Sequence, residues 1–196
     1  MAGGSLMTPA SEDDGAQMAP LVEFPIPAGA LRERTVQWHD AAMAGPLTAG
    51  LSGLEIMRGI RDGTLPAPPM ARAIGFRCIV AEPGEIAMRL DYDGSLENTL
   101  RMLHGGVAAT MLDTAMGAAA HTMLPVGSAV VTLDLTVTYI RPIDARNTPV
   151  TATGRVLNVG RRTVYVSGEV VDRHGALTVH AVGNFSILNM RPSPAA

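Results

Sequence analysis

The longest apolar stretch of the chain lies in its middle. Between Asn98 and Leu124 small and apolar residues fill most positions, and Asp113 is the one acid. A helix that is apolar on almost every side is a buried helix. The stretch is short for a membrane span and contains Asp113 and His121, so we do not expect it to cross a bilayer. The pattern predicts a central buried helix.

Strand patterns flank this helix on both sides. The clearest runs from Val131 to Tyr139, where apolar residues alternate with threonine and aspartate. Shorter apolar runs between turn residues predict further strands over 76–81, 86–93, 150–159, 163–172 and 176–188. The order β-β-α-β-β-β-β predicts an α+β protein. We expect an antiparallel sheet of about six strands wrapped around one long central helix.

The first third of the chain has a different composition. We interpret the chain as a disordered tail, an N-terminal extension, the main domain and a second tail, over residues 1–22, 23–64, 65–190 and 191–196. Within the extension, apolar spacing predicts short helices over 31–43 and 51–62. We expect Trp38 to pack the extension onto the main domain.

Charge and cysteine content exclude several classes of function. The net charge of -3 gives no general affinity for nucleic acid or acidic membranes. Cys78 is the only cysteine, so the chain has no internal disulfide, and we expect a small buried side chain rather than a reactive thiol. No basic-then-apolar signal segment opens the sequence, so we expect a cytoplasmic protein. We recognise no metal-ligand cluster or phosphate loop, and expect no metal and no cofactor.

Two features of the central stretch indicate chemistry. An ionised carboxylate such as Asp113 is costly in apolar surroundings unless it is paired or used. Gly105 and Gly106 stand where the helix should begin, and the first amides of a helix are unpaired and partly positive. Amide donors beside a desolvated acid suit acyl transfer. The residues alone leave a second interpretation open, a tight turn into a core helix with Asp113 bonded to a neighbouring strand.

These residues belong to a longer pattern. Asn98, then His104-Gly105-Gly106, then Asp113 are followed by VTLDLTVTYIRP from Val131 to Pro142. Together they resemble the PaaI-type branch of the hotdog-fold acyl-CoA thioesterases, a part of the thioesterase superfamily, over residues 65–188. The resemblance implies a hotdog fold and hydrolysis of an acyl-CoA thioester to free acid and coenzyme A. It also implies assembly as a homodimer or a dimer of dimers.

The resemblance assigns catalytic roles to five residues. The amide of Gly105 would be an oxyanion donor, and Asp113 would be the nucleophile or the general base. Thr132 would hold the attacking water, Asn98 would orient the thioester, and His104 would brace the turn. The residues themselves allow simpler interpretations, an ordinary strand threonine and a turn asparagine.

The coenzyme A part of an acyl-CoA substrate carries phosphates, which cations bind. Arg141, Arg161 and Arg162 lie at predicted strand ends and turns, where they could bind the nucleotide, and Gly106 would adjoin the substrate. A solvated hairpin is the simpler interpretation of the arginines. Two other functions stay open, a hotdog hydratase or dehydratase and a non-catalytic acyl-CoA-binding or regulatory module.

Distance along the helix predicts a shared site. Asp113 lies eight residues beyond Gly105, and at about 1.5 Å per residue the two are roughly 12 Å apart along the axis. One carbonyl cannot reach both in the same chain. We therefore expect Asp113 and Thr132 of one chain to face Asn98 and Gly105 of a partner related by a two-fold axis.

Overall fold

The computed structural model of the protein describes residues 29–189. The predicted tails, 1–22 and 191–196, lie outside the described residues. Residues 34–189 form one compact unit. Its helices are α1 (Ala44–Thr48), α2 (Gly53–Asp62), α3 (Pro69–Ile74) and α4 (Gly105–Thr122), and its strands are β1 (Arg77–Glu82), β2 (Glu85–Leu90), β3 (Ser128–Tyr139), β4 (Val150–Val159), β5 (Thr163–Val171) and β6 (Leu177–Asn189).

The six strands form one antiparallel sheet in the order β1-β2-β4-β5-β6-β3. Helix α4 contacts every strand, so the sheet wraps around it as the sequence predicts. Each predicted strand is confirmed with its ends within three residues. The core lies between α4 and the sheet, where alternating strand residues such as Ile86, Val164 and Phe185 are buried.

Helix α4 is buried on its sheet side and partly open elsewhere. Its buried residues include Met111, Leu112, Ala115 and Met116. One stripe is only half-buried, and we call it the open stripe: Ala109, Thr110, Asp113, Thr114, Gly117, Ala118 and His121. The expectation of a helix buried on nearly every side therefore fails along this stripe, because the rest of the chain covers it only in part.

Two glycines set how closely the sheet approaches α4. Gly154 of β4 pairs with Gly168 of β5. A Cβ atom at Gly154 would lie 2.6 Å from the backbone oxygen of Ala115, and one at Gly168 would lie 2.6 Å from the sulfur of Met116. The helix packs directly against the strand backbone at this point.

Gly154→Ala should destabilise the fold. The added methyl group meets helix backbone that cannot rotate away, and such overpacking costs about 2–3 kcal/mol. Thermal unfolding followed by circular dichroism should show a midpoint lowered by about 5 °C or more. Gly45→Ala is the matched control, since a Cβ atom there meets nothing within 4 Å. An unchanged midpoint for Gly154→Ala would contradict the close packing.

The extension differs from its prediction in two respects. The predicted helix over 51–62 is confirmed as α2, which Ser52 and Glu55 start with a capping box. The predicted helix over 31–43 is wrong, since irregular chain leads to a 3-10 turn at Ala41–Met43. No residue between 34 and 48 is buried, so packing does not stabilise a longer helix there. Trp38 is 62 % exposed, and the expectation that it packs onto the main domain is also wrong.

Candidate active site

The start of α4 presents an unpaired backbone donor. His104 caps the helix, and its Nδ1 accepts a hydrogen bond from the Gly106 amide at 2.9 Å. The amide of Val107 donates to the His104 carbonyl. Among the residues that the structure describes, the Gly105 amide has no partner. His104 therefore caps the start of the helix, and the amide of Gly105 is free to bind an oxygen.

Tyr139, at the end of β3, fixes this helix start. Its hydroxyl donates to the Gly105 carbonyl at 2.9 Å. A Cβ atom at Gly105 would lie 3.2 Å from the tyrosine ring, so a glycine keeps the two in contact. Sequence reasoning did not single out Tyr139. The sequence feature that could have indicated Tyr139 is its position. It is the last residue of the alternating apolar pattern in β3 and directly precedes the Ile-Arg-Pro that follows the strand.

A cavity of about 340 Å³ opens beside this helix start. Asn98, Gly105, Tyr139 and Arg141 are among the residues that line it. The Asn98 side-chain oxygen accepts from the amides of Leu100 at 2.9 Å and Met102 at 3.2 Å. Asn98 is therefore a turn asparagine, as the simpler interpretation has it. Its side-chain nitrogen has no partner within residues 29–189 and remains available to a ligand.

Asp113 is paired with a residue of the neighbouring strand. The Thr132 hydroxyl donates to one carboxylate oxygen of Asp113 at 2.7 Å. The register of β3 against β6 shifts between Thr132 and Asp134, which makes a bulge at Leu133. Asp113 is half-buried rather than enclosed. The contact orients the carboxylate and leaves its second oxygen without a protein partner in the described part of the chain.

The predicted site residues form two separate groups within one chain. Asn98, Gly105 and Arg141 line the cavity, whereas Asp113 and Thr132 do not. Asp113 follows Gly105 by eight residues in the same helix, about 12 Å along its axis. Arg161 and Arg162 sit in the turn between β4 and β5.

Arg141 is also far from Arg161 and Arg162 within one chain. The Arg162 carbonyl accepts from the amide of Ile187, near the start of β3, whereas Arg141 follows the end of that strand. All three arginines are exposed. One chain therefore brings Arg141 to the cavity and leaves Arg161 and Arg162 at the end of the sheet where Thr132 lies.

Comparison with known proteins identifies the family. The model of the thioesterase superfamily matches residues 100–179, from the turn before α4 into β6. A Halobacterium salinarum protein named "Putative esterase" is 31% identical over 115 residues, which are 55% of this chain and 76% of that protein.

The chain belongs to the thioesterase superfamily.

Solved structures agree on the fold of this thioesterase-superfamily protein. The Escherichia coli PaaI protein, from the phenylacetic acid degradation operon, is 22% identical with a TM-score of 0.61 over 70% of this chain and 96% of its own. A Streptococcus mutans protein solved bound to acetyl-CoA is 20% identical with a TM-score of 0.54, over 60% of this chain and 91% of its own. The predicted hotdog fold is confirmed.

Other reactive groups of this superfamily member have structural explanations. Burial raises the pKa of the Cys78 thiol to about 11, which favours the protonated thiol at neutral pH, and the expected burial of this cysteine is confirmed. Residues 29–189 contain no group of three or more His, Cys, Asp or Glu side chains that could hold a metal ion. Over the same residues, no helix has the length and apolar character that a membrane span requires.

Proposed function

We propose that the protein is an acyl-CoA thioesterase that hydrolyses its substrate to a carboxylic acid and coenzyme A. The observation that carries the proposal is the unpaired Gly105 amide at a cavity, on the helix that also holds the half-buried Asp113. Membership of the thioesterase superfamily supports a hydrolase. The acetyl-CoA bound to the Streptococcus mutans relative supports an acyl-CoA as the ligand.

Each group has a definite task in this reaction. The Gly105 amide donates to the thioester oxygen as it becomes negative, a contribution of about 3 kcal/mol in other acyl-transfer enzymes. Asp113 either deprotonates the attacking water or attacks the carbonyl itself. The carbon–sulfur bond then breaks and releases the coenzyme A thiolate, which takes a proton. If Asp113 acted as the base, the free acid forms in this step and the proton comes from the protonated carboxyl group; if Asp113 attacked, water then hydrolyses the acyl anhydride and releases the acid. Thr132 holds the Asp113 carboxylate in place, and its oxygen can still accept a hydrogen bond from water.

A second copy of the chain would complete the site through β3. This strand lies at the edge of the sheet and is twelve residues long. Its exposed apolar residues include Val131 and Leu133, the latter 58 % exposed. A long apolar edge is a template for pairing with another strand. We infer that β3 pairs with the partner's β3 in antiparallel orientation about a two-fold axis.

The sides of β3 determine the register of this pairing. Residues directly opposite each other in an antiparallel pair point to the same face. Thr132 and Tyr139 pair with Phe185 and Val179, which are both buried toward α4. If Thr136 lies opposite the partner's Thr136, Tyr139 lies opposite the partner's bulge at position 133, next to Thr132. Because Tyr139 is bonded to Gly105, this register brings Gly105 to the Asp113 of the other copy.

The same pairing would unite the arginines. Arg161 and Arg162 follow β4 and lie two strands from Thr132, about 10 Å away at the usual strand spacing. In a shared site they come from the chain that supplies Asp113, and Arg141 comes from the chain that supplies Gly105. We therefore keep all three as candidates for the phosphates of coenzyme A, with Gly106 beside the substrate.

Replacing Arg161 and Arg162 together by alanine should raise KM for acyl-CoA about tenfold, because each charge-assisted contact with phosphate contributes to binding. A truncated thioester without the nucleotide should be hydrolysed as by the unchanged protein. The control is Arg77→Ala/Arg89→Ala, which removes the same amount of charge where both arginines contact Asp91. KM for acyl-CoA should stay unchanged in this control. Equal effects of Arg161→Ala/Arg162→Ala on both substrates would exclude phosphate binding.

Free-thiol release from a panel of acyl-CoA thioesters tests the proposed function. The panel should contain acetyl, hexanoyl, dodecanoyl and phenylacetyl thioesters, and we expect release from at least one. Tight binding without release from any of them would indicate a binding module. An absorbance change on an enoyl-CoA without thiol release would indicate a hydratase. Either result would overturn the proposal.

A further inference from the structure

A second cavity, of about 510 Å³, adjoins the cavity at the start of α4, and we call it the outer cavity. Met102 and Pro142 line both cavities, so the two meet at these residues. The loops that hold them are joined, since the Leu103 amide donates to the Ile143 carbonyl at 2.7 Å. A substrate bound at the Gly105 amide could therefore extend past Met102 and Pro142 into the outer cavity.

Arg101 places a cation in the outer cavity. Two arginines line this cavity, Arg101 and Arg146, and Arg146 pairs with Asp144 at 2.5 Å. Within residues 29–189, the Arg101 side chain forms no salt bridge and no hydrogen bond. Glu97 also lines the cavity and does not pair with Arg101 in this part of the chain. An exposed arginine in this state has its five N–H donors available to an anion.

The backbone at Arg101 is held in an unusual conformation. Its φ angle is +59°, and among the residues that the structure describes it is the only one besides glycines with a positive φ. Such a conformation is unfavourable for arginine and persists only where the surrounding structure imposes it.

Asn98 imposes this conformation through the turn that follows it. The Asn98 side-chain oxygen accepts from the amides of Leu100 and Met102. Its backbone carbonyl accepts from the Arg101 amide at 3.0 Å. One turn therefore presents Asn98 to the cavity at the start of α4 and Arg101 to the outer cavity. Glycine would suit the backbone at this position better, so the arginine side chain is what the position retains.

We propose that Arg101 binds an anionic group of the substrate in the outer cavity. The inference rests on the proposed function. Arg101 precedes Gly105 by four residues, a separation that the chain spans by at most about 14 Å. An acyl-CoA can carry negative charge in two places, on the phosphates of coenzyme A and on a carboxylate at the far end of the acyl group. A guanidinium binds either anion through paired N–H donors.

Substitution of Arg101 by glycine tests the proposal and preserves the turn. Glycine adopts a φ of +59° without strain, so Arg101→Gly should fold with a thermal midpoint no lower than that of the unchanged protein. Arg101→Lys keeps the charge and should lose less binding. Arg173→Ala is the matched control, because Arg173 is exposed, forms no salt bridge within the described residues and lines neither cavity.

Four thioesters distinguish the two sources of the anion. Hexanoyl and adipoyl groups have the same number of carbons, and only the adipoyl group ends in a carboxylate. Each is tested as the coenzyme A thioester and as the N-acetylcysteamine thioester, which lacks the phosphates. If Arg101 binds the acyl carboxylate, Arg101→Gly should lower kcat/KM about tenfold for the two adipoyl thioesters alone. If Arg101 binds a phosphate, the same loss should appear with the two coenzyme A thioesters alone.

The other outcomes separate failure of this inference from failure of the proposed function. An equal loss with all four thioesters, or no loss with any of them, would overturn the assignment of Arg101 and leave the thioesterase proposal standing. If no thioester is hydrolysed, the proposed function is wrong, and binding decides on Arg101. Calorimetry with the hexyl and 5-carboxypentyl thioethers of coenzyme A should show about tenfold weaker binding of at least one of them to Arg101→Gly. Unchanged binding of both thioethers would overturn the inference.

Discussion

Asp113→Asn should lower kcat by at least about 100-fold and change KM much less. Asparagine keeps the shape of the side chain and can still accept the hydrogen bond from Thr132. It cannot take a proton from water or attack a carbonyl. The loss should therefore fall on the chemical step, and steady-state kinetics with the best thioester of the panel measures it.

The control must show that kcat falls because the carboxylate of Asp113 is lost, and not because any one negative charge is removed. Asp62 is exposed and pairs with Arg61, so Asp62→Asn removes the same charge away from α4. That variant should turn over at the rate of the unchanged protein, and thermal unfolding should show that both variants fold. A folded Asp113→Asn protein that turns over near the original rate would refute the mechanism, whichever role Asp113 plays in it.

Two inactive variants should restore activity when they share a dimer. In the proposed arrangement each site takes Asp113 from one chain and Asn98 from the other. Asn98→Asp is the better partner for Asp113→Asn, because its carboxylate can still accept the two turn amides while the amide donor is lost. A mixed dimer then contains one intact site and one doubly altered site. Random pairing should give about a quarter of the original activity.

Two affinity tags make this experiment decisive. Co-expressed chains carrying different tags allow the mixed dimers to be isolated and counted, and these should have about half the activity of the unchanged dimer. Two differently tagged Asp113→Asn chains are the control and should stay inactive. If isolated mixed dimers of the two variants remain inactive, the site is not shared between the chains in this way.

The sequence predicts the six strands and α4 because each has an apolar pattern, whereas it does not predict the short helix α3. Alternation from Val131 to Tyr139 identifies β3, and the apolar run around Asp113 identifies α4, since both face the core. The order of strands in the sheet is a different matter. Nothing in β3 itself indicates that its neighbour is β6, because the pairing joins segments far apart in the chain. The prediction of a helix over 31–43 was wrong for a related reason. Helices in proteins are stabilised mainly by packing, and the weak apolar periodicity of this segment does not show whether it packs against the rest of the chain.

The candidate site is predictable to a similar extent. The spacing of Gly105 and Asp113 predicts that one chain keeps them apart, and the two separate groups in the structure agree with this. The bond between Thr132 and Asp113 was one of the two interpretations left open. The hydroxyl of Tyr139 on the Gly105 carbonyl could not be foreseen, since it depends on where the end of a strand meets the start of a helix.

The place of β3 in the sheet also sets an order of events during synthesis. Among the strands that the structure describes, its one neighbour is β6, which follows the other five along the chain. While the ribosome extends the chain, β3 leaves the exit tunnel before β6 and can join the sheet only after β6 has emerged. A nascent chain that stops short of β6 would already contain Asp113, Thr132 and Tyr139 and would still lack a strand to hold β3. The synthesis of β6 thus controls when the proposed site and its dimer edge can form.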